Sequence, residues 1–249
     1  MLHDSEPKPV EDGFPFVLEQ DSLADAMGAK LPNRSIGIIQ GDVGGGKSLI
    51  SQRLTYGLLE NKAKVLVITT ELTTRGWVEQ MESIGYSVTA HIASGRCMVF
   101  SRYGTIAESI PGAGLRELMQ SRAWNEADVI VLDSGSSLMP KGLDNHQVIM
   151  LMQEMRKKIA EGRTVLLTMD PVEVENSLLH AFRSSSEMVL DLTTNLIGGE
   201  LKRTLLVTRF LRAAGPVQSS VGWRVEPGMG FIVDITCLLY TSPSPRDVP

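Results

Sequence analysis

The sequence predicts an α/β fold, with a mostly parallel central sheet flanked by helices and a β-rich antiparallel C-terminal extension. Three observations predict it. Between residues 35 and 168, apolar strand-like runs alternate with segments of helical spacing, the order that lays parallel strands under covering helices. The octapeptide GDVGGGKS, residues 41–48, lies between the first such strand and the first such helix and fits the phosphate-loop pattern G-x-x-x-x-G-K-[ST] at every fixed position. From residue 188 onward, strand-like runs follow one another through turns alone, which suits antiparallel neighbours.

Each element follows from its own residues. Residues 35–40 (SIGIIQ) read as a short buried strand, 49–60 as the helix opening on the loop and 65–70 (VLVITT) as a second strand. A helix over 73–84, a strand over 97–101, a helix over 115–124 and the strand 128–133 (DVIVLD) come next. Residues 146–160 carry Val148, Ile149, Leu151, Met152, Met155 and Ile159 as a core-facing stripe, closed by Gly162 before the strand 164–168. Runs at 188–192, 201–210 and 231–236 are the expected antiparallel strands. Residues 1–15 are expected to be loosely ordered, and 16–236 to form one domain. Residues 237–247 (CLLYTSPSPRD) match the in-frame translation of a transposase sequencing adapter, so 237–249 are expected to be non-native and carry no weight in the fold. Within 1–236 one cysteine remains, Cys97, whose apolar setting points to core filling, as do those of Trp77 and Trp124.

The loop states its own chemistry. Gly41, Gly44, Gly45 and Gly46 allow backbone angles and close approach that a Cβ would block, so the stretch from Gly41 through Asp42 and Val43 to Ser48 can aim main-chain N–H groups at phosphate oxygens. The helix that follows adds its positive end. Lys47 is the expected partner of the β- and γ-phosphates, and the Ser48 hydroxyl an expected Mg²⁺ ligand, so ATP with Mg²⁺ is the expected cofactor pair. Asp133 ends an apolar strand and is expected to hold the Mg²⁺ shell beside Ser48. Residues 134–137 (SGSS) either line the γ-phosphate side or form a plain polar loop. Glu71, at the C-terminal end of the second strand, is either the group that orients an attacking water or a cap for the next helix. Arg209 and Arg212, beyond the strand residues 201–208, are either fingers that reach a neighbouring subunit's γ-phosphate or ordinary surface arginines.

Composition narrows the class. The chain has 249 residues, 43% hydrophobic and 21% charged, enough for one sizeable core. No apolar run approaches the roughly 18 residues needed to cross a bilayer, so a cytoplasmic protein is expected. A net charge of −5 disfavours a broad phosphate-tracking surface, and nucleic acid is not an expected partner. The four histidines lack metal-ligand spacing, and no structural metal is expected.

The loop GDVGGGKS, the segment VITTELT at 67–73, the strand ending in Asp133-Ser134 and the run VEPGMGFIVD at 225–234 together resemble the RecA-type, KaiC-like P-loop ATPases, and within them the archaellum accessory branch, over about residues 12–236. That resemblance implies a cytoplasmic ATP-binding regulatory component, peripheral to a membrane-bound motor complex, that docks on the archaellum motor ATPase and membrane platform as a homo-oligomeric ring, a hexamer. It implies nucleotide used as a signal more than as fuel, with slow or no hydrolysis. It places Lys47, Ser48 and Asp133 at phosphate and Mg²⁺, Glu71 at the catalytic glutamate and Arg209 near a subunit interface. One departure is visible: Asp170 stands where a γ-phosphate-sensing histidine is expected before Pro171. Two other readings share the fold. A RadA-like recombinase or other DNA-stimulated ATPase needs a basic strand-binding loop and an added helical module, neither of which the sequence offers. A KaiC-like signalling ATPase unrelated to motility has the same local chemistry, and gene neighbourhood separates it.

Overall fold

The computed structural model describes residues 13–103 and 114–234. Residues 237–249, and 1–12 of the expected loose segment 1–15, lie outside that set. In chain order the elements are β1 (Phe14–Pro15), α1 (Leu23–Ala26), β2 (Lys30–Leu31), β3 (Ser35–Gln40), α2 (Lys47–Glu60), β4 (Val65–Thr69), α3 (Thr74–Ser83), α4 (Thr89–Ala93), β5 (Cys97–Ser101), α5 (Leu115–Gln120), α6 (Arg122–Glu126), β6 (Val129–Asp133), a 3-10 turn (Ser136–Leu138), α7 (Asn145–Ile159), β7 (Thr164–Met169), α8 (Asn176–Ser185), β8 (Met188–Ile197), β9 (Glu200–Phe210), β10 (Ser220–Glu226) and β11 (Gly230–Val233).

Nine of the described strands share one sheet, in the order β11-β10-β9-β8-β3-β7-β6-β4-β5. Strands β8 to β5 run parallel, and β8-β9, β9-β10 and β10-β11 are antiparallel. The expected architecture of parallel sheet and antiparallel extension is therefore present. Its joint differs from expectation. The strand beginning at Met188 lies parallel to β3 and antiparallel to β9, because α8 carries the chain back across the sheet from β7. That helix buries Leu178 and Phe182, four residues apart on one face.

Four central strands are buried at every position, because helices cover both faces and each apolar run feeds both. Ile36, Ile38, Leu66, Ile68, Ile130 and Leu132 face the layer of α5 to α8. Ile39, Val65, Val67, Val129 and Val131 face the layer of α2, α3 and the N-terminal segment. This is the period-2 alternation of a strand, apolar on both sides. Helix α7 starts on a capping box, with Asp144 and Gln147 exchanging side-chain and backbone bonds. Its buried face is Val148, Leu151, Met152, Met155 and Ile159. Ile149, expected on that face, is instead 55% exposed, since it falls a third of a turn outside the stripe. The helix expected over 115–124 is broken at Ser121, whose extended backbone ends α5 and whose hydroxyl oxygen accepts from Trp124 N to cap α6. Trp77, Trp124 and Cys97 are buried as expected, and burial pushes the Cys97 thiol up to about 12. Phe14 and Pro15, expected in the loose segment, pair with Leu31 and Lys30.

Candidate functional site

The loop between β3 and α2 projects from the C-terminal ends of the parallel strands, the side of an open α/β sheet where ligands bind. Two glycines hold it in the left-handed region, Gly44 at φ 76° and Gly46 at φ 95°. A Cβ on Gly44 would meet nothing within 4 Å, so its angle alone selects glycine there. Gly46, the N-cap of α2, is bound twice over, because a Cβ would also lie 2.3 Å from Cη2 of Trp223 in β10. Gly45 N donates to Asp42 O at 3.0 Å and tightens the turn.

Lys47 Nζ donates to the carbonyls of Gly41 at 2.7 Å and Asp42 at 2.9 Å, which holds the ammonium across the loop. One residue on, Ser48 Oγ donates to Asp133 Oδ1 at 3.1 Å. The same carboxylate accepts from Thr168 Oγ1 at 2.7 Å and, through Oδ2, from Ser51 Oγ at 3.3 Å. Asp133 is thus a buried carboxylate aimed by three hydroxyls at the start of α2. Burial pushes its pKa up, while the Thr168, Ser48 and Ser51 bonds and the Lys47 charge pull the other way. Such a group is suited to a cation that restores its lost solvation. Thr70 and Ser134 lock the neighbouring strand ends, Ser134 N donating to Thr70 Oγ1 at 2.9 Å.

A cleft of about 280 Å³ opens over the loop, lined among others by Gly44, Lys47, Ser48, Glu71, Ser134 and Asp170. Ser134, of the 134–137 stretch, therefore reaches the site, whereas Ser136 turns inward to accept from Asp170 N. The helix after Glu71 is capped by Thr73, whose Oγ1 accepts from Gly76 N, so Glu71 is free of the capping role and sits on the cleft wall. Its carboxyl is raised above the ordinary 4.5, first by loss of surrounding water and next by the Asp133 and Glu173 charges, with Lys47 opposing. That combination suits a group that takes a proton from an attacking water.

Arg209 is not brought to this cleft. It pairs with Val189 towards the opposite end of the sheet, and its Nη1 bonds the carbonyls of Arg183 and Ser184 at 3.4 and 3.1 Å. Arg212 lies there too, donating to Asn33 O at 2.7 Å. Four participants escaped the sequence reading. Thr168 and Ser51 fix Asp133, Glu173 lines the cleft, and Trp223 buttresses Gly46. Ser51 stands one helical turn after Ser48 and was findable by that spacing. The others depend on strand neighbours that spacing does not reveal.

The residues present fit a Mg²⁺-nucleoside triphosphate. The glycine cradle is open at Gly44, the lysine lies at the loop mouth, and the serine hydroxyl and the aspartate share one point. No group of three or more His, Cys, Asp or Glu suited to a metal occurs among the described residues. No helix of the described residues is long and apolar enough to cross a membrane.

A phosphate loop closing a parallel strand, with its serine bonded to an acidic strand end, defines a P-loop nucleoside-triphosphatase fold of the RecA type. Residues 21–216 match the KaiC ATPase family, and the chain belongs to that family. It is similar to the archaeal flagellar ATP-binding protein FlaH of Methanocaldococcus jannaschii, 33% identical over 219 residues that cover 88% of this chain and 94% of the relative. The protein of the same description from Methanococcus voltae is 30% identical over 220 residues, covering 88% and 96%. The crystal structure of flagellar accessory protein FlaH from M. jannaschii matches with a TM-score of 0.80 at 31% identity, covering 90% of this chain and 99% of that one.

Proposed function

We propose that this chain is an ATP-binding regulatory component of the archaellum motor, in which nucleotide occupancy controls assembly of a homo-oligomeric ring and docking to the motor ATPase and membrane platform, with slow or no hydrolysis. The observation that carries the reading is the Lys47, Ser48 and Asp133 constellation on an intact phosphate loop, in a chain similar along most of its length to archaeal flagellar ATP-binding proteins. Lys47 exchanges its two loop carbonyls for β- and γ-phosphate oxygens, main-chain N–H groups of residues 44–48 hold the remaining charge, and Ser48 and Asp133 orient the Mg²⁺ shell. Bound Mg²⁺ supplies charge neutralisation between the phosphates. Glu71 on the cleft wall orients water, and Arg209, far from its own loop, is available to a neighbouring subunit. A signal needs differential affinity: ATP biases assembly only as far as it binds the assembled state more tightly.

Copurification with the archaellum motor ATPase, with and without ATP, tests the reading. Retention of the motor ATPase is expected to depend on ATP in the wild-type chain and to lose that dependence in Lys47→Ala, whose ATP affinity should fall about 100-fold. Equal ATP affinity in Lys47→Ala would remove the site assignment, and nucleotide-independent or absent association would remove the regulatory role.

A further inference from the structure

Immediately after β7, Asp170 enters the same cleft as a fixed negative charge. Its N–H donates to Ser136 Oγ at 2.7 Å, and its Oδ1 accepts from Val172 N at 3.0 Å, so its own turn sets the direction of the carboxylate. The other oxygen, Oδ2, faces Lys47 Nζ at 3.8 Å, with the two side chains only 12% and 7% exposed. The loop lysine therefore answers to three acceptors of this chain: the carbonyls of Gly41 and Asp42, and Asp170. Glu71 and Glu173 share the cleft wall, and Lys47 is the one cationic side chain among its lining residues. Because Lys47 and Asp170 are largely shielded from water, their charges act on each other and on a nearby phosphate with less screening than exposed groups would.

We propose that Asp170 sets nucleotide specificity at this site by competing with the terminal phosphate for Lys47 and repelling it, so that ATP and ADP bind with similar affinity. The role presupposes that the cleft takes nucleotide, as proposed above. A diphosphate leaves the space beside Asp170 to water and escapes the repulsion. A triphosphate must draw Lys47 away and bring its own charge close to a carboxylate that cannot swing aside, because Val172 N and Ser136 hold its turn. The preference that loop and lysine would otherwise give the triphosphate is thereby cancelled.

The test is titration calorimetry of ATP and ADP, each with Mg²⁺ and with chelator, on the full chain and on Asp170→Asn, Asp170→Ser and Lys47→Ala. Asparagine retains an acceptor for Val172 N while removing the charge, and serine is a second neutralising change should one variant fold poorly. The wild-type affinities for ATP and ADP are expected to lie within about threefold of each other, and Asp170→Asn to tighten ATP about tenfold while moving ADP no more than about twofold. An unchanged ATP-to-ADP ratio in both neutral variants would overturn the role. So would a loss of ATP affinity confined to buffers containing Mg²⁺, which would make Asp170 a metal ligand. If Lys47→Ala weakens both nucleotides while the ratio ignores Asp170, only this inference fails. If the wild-type chain binds neither nucleotide, the nucleotide reading fails and takes this one with it.

Discussion

The parallel half of the sheet and its antiparallel continuation are covered differently, and the chemistry follows the difference. Strands β3, β4, β6 and β7 are buried at every position between two helical layers. In β9, by contrast, Leu205 is the one fully buried residue, and much of the strand is partly open to solvent. Lys47, Ser48, Glu71, Asp133 and Asp170 all belong to the parallel half or to turns leaving it. The region beyond Met188 supports the loop from beneath: a Cβ on Gly41 would come within 2.9 Å of Leu192 O, and Trp223 lies under Gly46. Trp223 is stacked on Phe231 at 5.3 Å, and Phe231 N donates to Tyr86 OH at 2.8 Å. The parallel half thus supplies charge and hydroxyls, while the C-terminal strands hold the loop in shape from beneath.

The sharpest way to break that division is at Gly46. A Cβ there meets both a left-handed backbone and the Trp223 ring, so Gly46→Ala is expected to cost about 4 kcal/mol of stability and most of the nucleotide affinity. Pairing it with Trp223→Leu should recover the steric part and leave the backbone part, a coupling readable in a double-mutant cycle by urea unfolding. Additive effects would show that the tryptophan does not buttress the loop.

A somewhat smaller effect is expected where the N-terminal segment straps the two regions together. Arg53 of α2 is wholly buried, its Nε and Nη2 bonding both oxygens of Asp21 at 2.6 and 2.7 Å and its Nη1 bonding Phe16 O at 2.9 Å. A few residues on, Gly28 N donates to Pro216 O, and Gln218 N to Ala26 O. Asp21→Asn leaves a buried guanidinium half-answered and should cost about 3 kcal/mol, seen as a lower denaturant midpoint at unchanged slope. Hydrogen exchange around residues 214–218 should quicken in that variant. Exchange that stays as slow as in the wild type would confine the strap to α2.

How far the site could be read beforehand follows the same division. The loop was legible because its residues are consecutive and each has a local reason, and Asp133 because an apolar run ending in a carboxylate is itself a local pattern. Thr168 was read only as a strand residue. Its bond to Asp133 exists because β7 lies between β3 and β6, which a crossover order decides. Trp223 could not be assigned to the site for the same reason: SVGWRVE alternates as a strand should, but which loop its tryptophan lies under depends on the sheet order and on a partner far along the chain. The placement of β8 beside β3 was missed with α8: Leu178, Leu179, Ala181 and Phe182 do have helical spacing, but that the helix returns the chain to the far side of β3 is decided by strand order.

Within the parallel half, Glu71 is expected to affect turnover and leave binding alone. Glu71→Gln should lower any ATP hydrolysis about 100-fold while ATP affinity stays within about twofold. Because its carboxyl is raised above 4.5, the ionised form needed to take a proton from water is lost earlier on acidification than for an ordinary glutamate. Hydrolysis should therefore fall with decreasing pH on a limb displaced upward from that of an ordinary glutamate, and the limb should vanish in the glutamine variant. A pH profile identical in both chains would assign the water to another group.

The smallest expected effect tests whether charge in the C-terminal strands reaches the loop at all. Arg203 is the cross-strand neighbour of Trp223, and its guanidinium carbon lies 5.7 Å from the ring centroid. Arg203→Met keeps the apolar stem against the ring and removes the cation, so a loss of about 0.5–1 kcal/mol in stability is expected. Nucleotide affinity should stay within about twofold, because the tryptophan transmits shape and not charge to Gly46. A marked drop in ATP affinity without a matching loss of stability would mean that the arginine acts on the phosphates through the ring, and the separation of charge from support between the two regions would no longer hold.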